Sequence, residues 1–462
     1  MPKILMIGAS GFIGQALGVE LVRRGYEINL LSRGVVREKL AFPCQIFQWQ
    51  GDAAELPAAA LDGVIGVFNL AGESLADGRW SAARKARFRT SRLGPVAALV
   101  QAIRGRELRP SVVVQASAIG YYGDAGDQLL TETSPSGKGF LAKLCVDWEA
   151  AAQPLNQLGV RLVCPRIGVV LGQEGGALPQ LRRLYQIGAG AAPGNAQQWF
   201  SWIALGDLVA LLIRALEDSK VHGPINAVAP GAVRYEELHR AFTGRPQGSI
   251  LKAPRVVMRA AVGEGASMLL ASLRVAPAKA EAIGFKFAQP RLESALESLL
   301  VSGERRHHGV IKVAQWVPAS LETVAAFFAD AANLEAITPP WLNFRVRSMS
   351  TPLIANGTKI RYRLSLHGVP LRWESLISEW TPPLGFVDEQ VLGPFKSWHH
   401  RHTFEALAGG TLVTDCVQFK VPLGTLGALT AGFLVAHDVR RIFSYRRAAI
   451  ARHFGQVQLN HQ

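Results

Sequence analysis

The chain has 462 residues, 49% hydrophobic and 18% charged, with a formal net charge of +15. That length suffices for two or three cores, and the composition excludes a disordered or low-complexity chain. No apolar run reaches membrane-span length, and the four scattered cysteines form no C-x-x-C pair, which argues against a disulfide framework or zinc knuckle and for a reducing, cytoplasmic setting.

The first 230 or so residues alternate apolar runs with helical stretches. "KILMIG" (3–8) reads as a buried strand, "FIGQALGVELVRRG" (12–25) as a helix stopped by Gly25, and "EINLLSR" (27–33) as the next strand. "GVIGVFNLAG" (63–72), "SVVVQAS" (111–117) and "VRLVCPRIGVVLG" (160–172) continue the series. Unalternating apolar strands between helices predict an α/β Rossmann-type doubly wound parallel sheet over residues 1–250. Residues 251–300 read as a small, mostly helical extension, and the polar stretch 301–308 as a linker. From Gly309 the pattern changes to alternating strands with Gly/Pro turns, closed by a helix with an apolar stripe through Val439, Phe443, Ile450 and Phe454. This predicts an α+β domain over 309–456. The basic excess has no long Lys/Arg tract. Its densest cluster, Arg84, Lys85, Arg87, Arg89 and Arg92, reads first as a solvated helix face and second as a phosphate contact, so nucleic acid is not an expected partner.

"GASGFIG" places Gly8, Gly11 and Gly14 directly after a strand and at the opening of a helix. Such a turn brings backbone close to a pyrophosphate and aims a helix N-terminus at it. The second strand ends at Ser32-Arg33 with no acidic residue, which favours NADP(H) over NAD(H), because an Arg there suits a 2′-phosphate.

Residues 1 to about 298 resemble the atypical extended short-chain dehydrogenase/reductases. More closely, they are similar to an uncharacterised epimerase-like family marked by "NLAGE" (69–73), "GYYG" (120–123) and "KLC…WE" (143–149). The resemblance implies that Gly8, Ser10, Gly11, Phe12 and Ile13 wrap the pyrophosphate and that Ser32 and Arg33 hold the 2′-phosphate. It implies that Leu70, Ala71 and Gly72 line the adenosine side, Lys143 the nicotinamide ribose, and Pro165 and Ile167 the carboxamide. Ser117 and Lys143 stand where the class keeps two members of its proton relay. The third, a tyrosine four residues before the lysine, is replaced by Gly139, which leaves Tyr121 and Tyr122 as candidate substitute acids or as packing under a loop. After "FSW" the family's polar run is reduced to Asp207, with Ala204 and Gly206 beside it.

The C-terminal part resembles the polyketide-cyclase/START-like superfamily through "VPASLETVAAFFADAANLEAITPPWL" and "GPFKSWHHRHTFE". The resemblance implies a helix-grip sheet enclosing a hydrophobic ligand. His400 and His402 share one strand face, but no acidic or cysteine partner stands near them in sequence, so no metal is expected. Trp373, Trp398 and Arg401 are candidate cavity residues. The reading is therefore a cytoplasmic NADP(H)-binding oxidoreductase or epimerase with a small-molecule substrate and a hydrophobic-ligand domain. Its alternative is a non-catalytic NADP(H) sensor coupled to that domain. The sequence accommodates a monomer or a dimer.

Overall fold

The computed structural model describes residues 1–34, 39–51, 55–76, 78–173, 175–179, 181, 192–243, 252–299, 308–422 and 432–459. All but one residue of the expected 301–308 linker lies outside these. The chain divides into two compact units, Met1–Val35 with Cys44–Ser302, and Val36–Pro43 with Gly303–Gln462.

In the first unit, β1 (Lys3–Ile7), β2 (Glu27–Ser32), β3 (Gln45–Gln48), β4 (Val64–Asn69), β5 (Val112–Gln115), the short β6 (Ser117–Ala118), β7 (Arg161–Ile167) and β8 (Gly223–Ala227) form one parallel sheet. Its order is β8-β7-β5-β4-β1-β2-β3, with β6 also on β7. The order in which successive strands are added reverses between β1 and β4, and ligands of such sheets lie beyond the carboxyl ends of the strands at that crevice. The strands are buried on both faces, as their unbroken apolar runs require.

The run 160–172 is not one strand, however. It breaks at Gly168, whose N still donates to Ala227 O while Val169 N turns to Ser201 O; a Cβ on Gly168 would stand 2.7 Å from Val228 Cγ1 and 3.1 Å from the Ser201 carbonyl oxygen. Beyond it, Val169–Leu171 leaves the main sheet and pairs with Trp202–Ala204. The helical extension is fastened by Asp207, whose buried carboxylate accepts from Ala288 N (2.8 Å) and Gln289 N (2.9 Å). Leu292 and Leu296 then pack with Trp202, Leu238 and Phe242.

In the second unit, seven antiparallel strands follow in space as β9 (His308–Val317), β15 (Gly410–Lys420), β14 (Ser397–Leu407), β13 (Gly385–Leu392), β12 (Val369–Thr381), β11 (Lys359–Leu366) and β10 (Arg345–Met349). The closing helix, Gly432–Leu459, buries Val439, Phe443, Ile450 and Phe454 against this sheet's inner face. The segment Val36–Pro43 belongs to this unit rather than to the Rossmann sheet. Its Leu40 carbonyl accepts from Trp316 N at 3.0 Å, and Leu40, Ala41 and Phe42 are buried.

Candidate functional site

The first candidate site is the turn from β1 to α1 (Phe12–Arg23). Gly8 has φ +82°, and a Cβ on it would stand 2.8 Å from the Leu70 carbonyl carbon and oxygen and 2.9 Å from Ala71 N. A Cβ on Gly14 would meet Ala9 Cα at 2.4 Å. These two glycines thus let the turn, the helix and the loop after β4 approach backbone to backbone. Leu70 N donates to Ile7 O (2.8 Å) and Ala71 N to the buried Asn69 Oδ1 (3.2 Å), so Leu70–Gly72 is fixed beside the turn. Gly11 caps α1 with no side-chain hydrogen bond, and no acidic residue occupies the first turn. The N-terminal amides are left for an anion, as a pyrophosphate site requires.

Ser10 and Gly11 are exposed, and Phe12 and Ile13 half-buried. The Phe12 ring fills the space kept by Gly172, Gly175 and Gly176, whose Cβ atoms would come within 2.5, 2.6 and 2.9 Å of it. At the end of β2, Ser32 Oγ donates to Gly34 O (2.7 Å) and Arg33 is exposed, with no ion-pair partner among the described residues. The basic cluster on α2 (Ala82–Arg104) is largely consumed in contacts. Arg87 pairs with Glu73 (3.3 Å), Arg89 with Asp147 (2.6 Å) and Lys85 with Glu264. Arg92 is buried over Trp148, where burial lowers its pKa, and donates to the Phe88 and Glu73 carbonyls. Among the described residues, Arg33 is thus an exposed cation at the β2 end that no ion pair occupies.

The proton-relay candidates are placed differently from one another. Ser117 is buried and donates to Glu149 Oε1 at 2.6 Å. Glu149 in turn takes Arg166 Nε and Nη2, both at 2.9 Å. Arg166 Nη1 donates to the Tyr122 hydroxyl (3.0 Å), and that hydroxyl donates to Asn226 Oδ1 (2.7 Å). Tyr121 lies against the same guanidinium, 3.4 Å from ring centroid to Cζ. Burial pushes Tyr122 above its ordinary pKa. Burial opposes the charge of Arg166, but Glu149 outweighs it and raises that pKa. Ser117 and Tyr122 are thus joined in one buried network.

Lys143 lies outside that network. It is exposed on α3 (Phe140–Ala152), with Nζ 3.6 Å from Asp147 Oδ1. Six residues separate it from Glu149, about 120° around a helix, so the two side chains leave α3 on different faces. Gly139 is not on the helix at all. It is the N-cap, with φ +98° and ψ 176°, a region open almost only to glycine. Pro165 is buried in β7, and Ile167 half-buried at its end.

Beside α3 lies a cavity of about 650 Å³ lined by Trp80, Phe140, Arg255, Arg259, Glu264 and Ser267. Sequence reasoning did not single it out, since its two arginines come from the irregular helical extension.

In the second unit a cavity of about 490 Å³ lies between sheet and closing helix. Trp373 and Trp398 line it, 5.3 Å apart edge to face, with Tyr362, Leu364 and Phe443. Arg401 does not line it. Strand alternation turns that residue outward, where it pairs with Glu379 at 2.8 and 3.1 Å. The acidic partners that His400 and His402 lack in sequence come from neighbouring strands. Asp388 stands opposite His400 across β13–β14, and Asp415 opposite His402 across β14–β15. Burial works against both carboxylates, but His400 holds Asp388, and Arg446 holds Asp415, below the usual range. The readable signal was an aspartate in the inward, apolar phase of each strand: Phe386-x-Asp388 and Val413-x-Asp415-x-Val417.

A parallel sheet with a glycine turn at its switch point defines the class, a Rossmann-type dinucleotide-binding protein. The chain belongs to the NAD dependent epimerase/dehydratase family, whose model matches residues 4–228. A domain of unknown function (DUF1731) follows at 253–299, and a polyketide cyclase/dehydrase and lipid transport domain at 317–443. Over 303 residues the chain is 37% identical to the chloroplastic epimerase family protein SDR39U1 homolog of Arabidopsis thaliana, covering 64% of this chain and 86% of that one. It is 38% identical over 297 residues to an epimerase family protein of Mycobacterium tuberculosis, covering 63% and 96%. Among solved structures, human epimerase family protein SDR39U1 with NADPH aligns at TM-score 0.58 and 33% identity, over 65% of this chain and all of that one. A nucleoside-diphosphate sugar epimerase from Corynebacterium glutamicum aligns at TM-score 0.53 and 32% identity, over 64% and 58%. No helix among the described residues is long and apolar enough to cross a membrane.

Proposed function

We propose that the first unit binds NADP(H) at the Gly8–Gly14 turn and works as an epimerase-like oxidoreductase on a small molecule, while the second unit holds a hydrophobic ligand. The observation that carries this is the uncapped N-terminus of α1 against the Leu70–Gly72 loop, with an exposed Arg33 closing the β2 end. NADPH on a human relative supports the choice of cofactor. Bound NADPH supplies a hydride. The chain's part is to hold the pyrophosphate on the α1 amides, the 2′-phosphate on Ser32 and Arg33, and the nicotinamide end near Lys143, Pro165 and Ile167. The apolar cavity of the second unit, of ordinary ligand size, supports a hydrophobic small molecule there.

The buried network favours a second reading. Ser117 and Tyr122 have their hydrogen bonds filled by Glu149, Arg166 and Asn226, which suits an NADP(H) sensor without turnover. NADPH oxidation against a panel of carbonyl and enone compounds separates the two. The oxidoreductase reading expects turnover with at least one class, slowed about 10²–10⁴-fold if Ser117→Ala or Tyr122→Phe removes its acid. Tight NADPH binding with no turnover across the panel rejects it in favour of the sensor.

A further inference from the structure

The geometry points to a divalent transition-metal site in the second unit, formed by Asp388, His400 and His402 and opening on its apolar cavity. His400 Nδ1 and His402 Nε2 stand 3.1 and 3.2 Å from the same atom, Asp388 Oδ2. One carboxylate oxygen and two imidazole nitrogens therefore converge, all within 4.8 Å of one another. All three residues line the cavity, and both imidazoles are buried.

Behind them stands Asp415, which does not line the cavity. Its Oδ1 is 3.1 Å from His400 Nε2, in hydrogen-bonding line, and 2.8 Å from His402 Nδ1, out of line. Each ring thus presents one nitrogen to Asp388 and the other to Asp415. A carboxylate behind the second ring nitrogen is how metal-binding imidazoles are oriented and made basic. Arg446, which also lines the cavity, stands with Nη2 3.8 Å from Asp415 Oδ1 and is the cation on that carboxylate.

Charge leads to the same place. The buried Asp415 faces the Arg446 guanidinium, while the half-buried Asp388 has only the two imidazoles as cationic partners, a role that a bound metal ion would take over. Ser375 Oγ donates to Asp388 Oδ1 (3.3 Å) and takes the Trp373 indole N–H (3.0 Å), so the first carboxylate is also held in place. Two nitrogens and one carboxylate suit Zn²⁺, Fe²⁺ or Co²⁺ rather than Ca²⁺ or Mg²⁺, which take oxygen shells. Three protein ligands leave an open position, which marks a reactive rather than a structural site. That position faces the cavity.

The test uses the full chain without a purification tag, stripped with a chelator and titrated with Zn²⁺ or Co²⁺ alone. A single equivalent is expected, with proton release on Zn²⁺ uptake and visible ligand-field bands for Co²⁺. His400→Ala and His402→Ala each weaken uptake by more than about 100-fold, and Asp415→Asn by about 10–100-fold. His399→Ala, on the same strand but the opposite face, leaves uptake unchanged. Wild-type protein that develops no Co²⁺ bands and releases no protons overturns the site, whatever the folding of the variants, and marks the cluster as a hydrogen-bonded histidine–aspartate network. Bands that persist in the His400→Ala/His402→Ala double variant overturn it as well.

Discussion

Replacing Gly139 with alanine isolates what the missing tyrosine means. Nothing lies within 4 Å of a Cβ at this position, so alanine meets no clash and the whole cost is conformational. With φ +98° and ψ 176°, a non-glycine residue pays about 1–3 kcal/mol. Gly206 is the matched control. A Cβ there also meets nothing within 4 Å, but the residue lies in the helix Leu205–Glu217, where alanine gains about 0.5–1 kcal/mol over glycine. Urea unfolding followed by circular dichroism should therefore move in opposite directions for the two variants, and the thermal midpoint of the Rossmann unit should fall by about 2–4 °C per kcal/mol in Gly139→Ala. The functional corollary is that Gly139→Tyr carries the same penalty and does not stand on α3, so it restores no proton relay. A Gly139→Ala variant as stable as the parent would refute this. It would mean that α3 begins a turn earlier, with a helical position open to a phenol.

Glu149→Ala leaves the buried Arg166 unpaired and should cost about 3–5 kcal/mol in urea unfolding, whereas a loss under 1 kcal/mol would show the network to be solvated. Thiol titration of the native chain should label Cys44 and Cys416 well before the buried Cys145 and Cys164, because burial pushes both buried thiols up, Cys145 to about 11. Four equally fast thiols at pH 8 would contradict the packing of α3 on β7. Leu371→Trp should fill the second-unit cavity and weaken an apolar fluorescent probe by about tenfold or more with little change in stability, and unaltered probe affinity would place that probe elsewhere.

The parallel sheet was legible because buried strands between helices announce themselves as unbroken apolar runs, and the turn because Gly8, Gly11 and Gly14 sit where backbone must approach backbone. The antiparallel sheet of the second unit was legible from alternation, and its grip on the closing helix from the resemblance to the polyketide-cyclase/START-like superfamily. What the sequence hid was set by partners distant along the chain. Ser117 reads as a relay hydroxyl, but its hydrogen bond to Glu149, itself held by Arg166, depends on a helix and a later strand that local sequence does not reveal. Gly139 and Lys143 look like i and i+4 on one helix, yet the helix starts at Phe140, and only the backbone angle at Gly139 reveals this. Asp388 and Asp415 come from strands on either side of His400 and His402, so their convergence depends on register rather than spacing. The segment "LAFP" (40–43) joins the second unit because Trp316 N and buried apolar surface capture it, a tertiary contact with no local signature.

Calorimetric titration of the full chain with NADPH and with NADH, repeated on Arg33→Ala, tests the central claim most directly. The account predicts a clear preference for NADPH, with charge-assisted contacts to the 2′-phosphate worth roughly 1.5–3 kcal/mol, about tenfold or more in affinity, and loss of that preference in Arg33→Ala. Equal affinity for the two cofactors in the parent chain, or a preference untouched by Arg33→Ala, would contradict it.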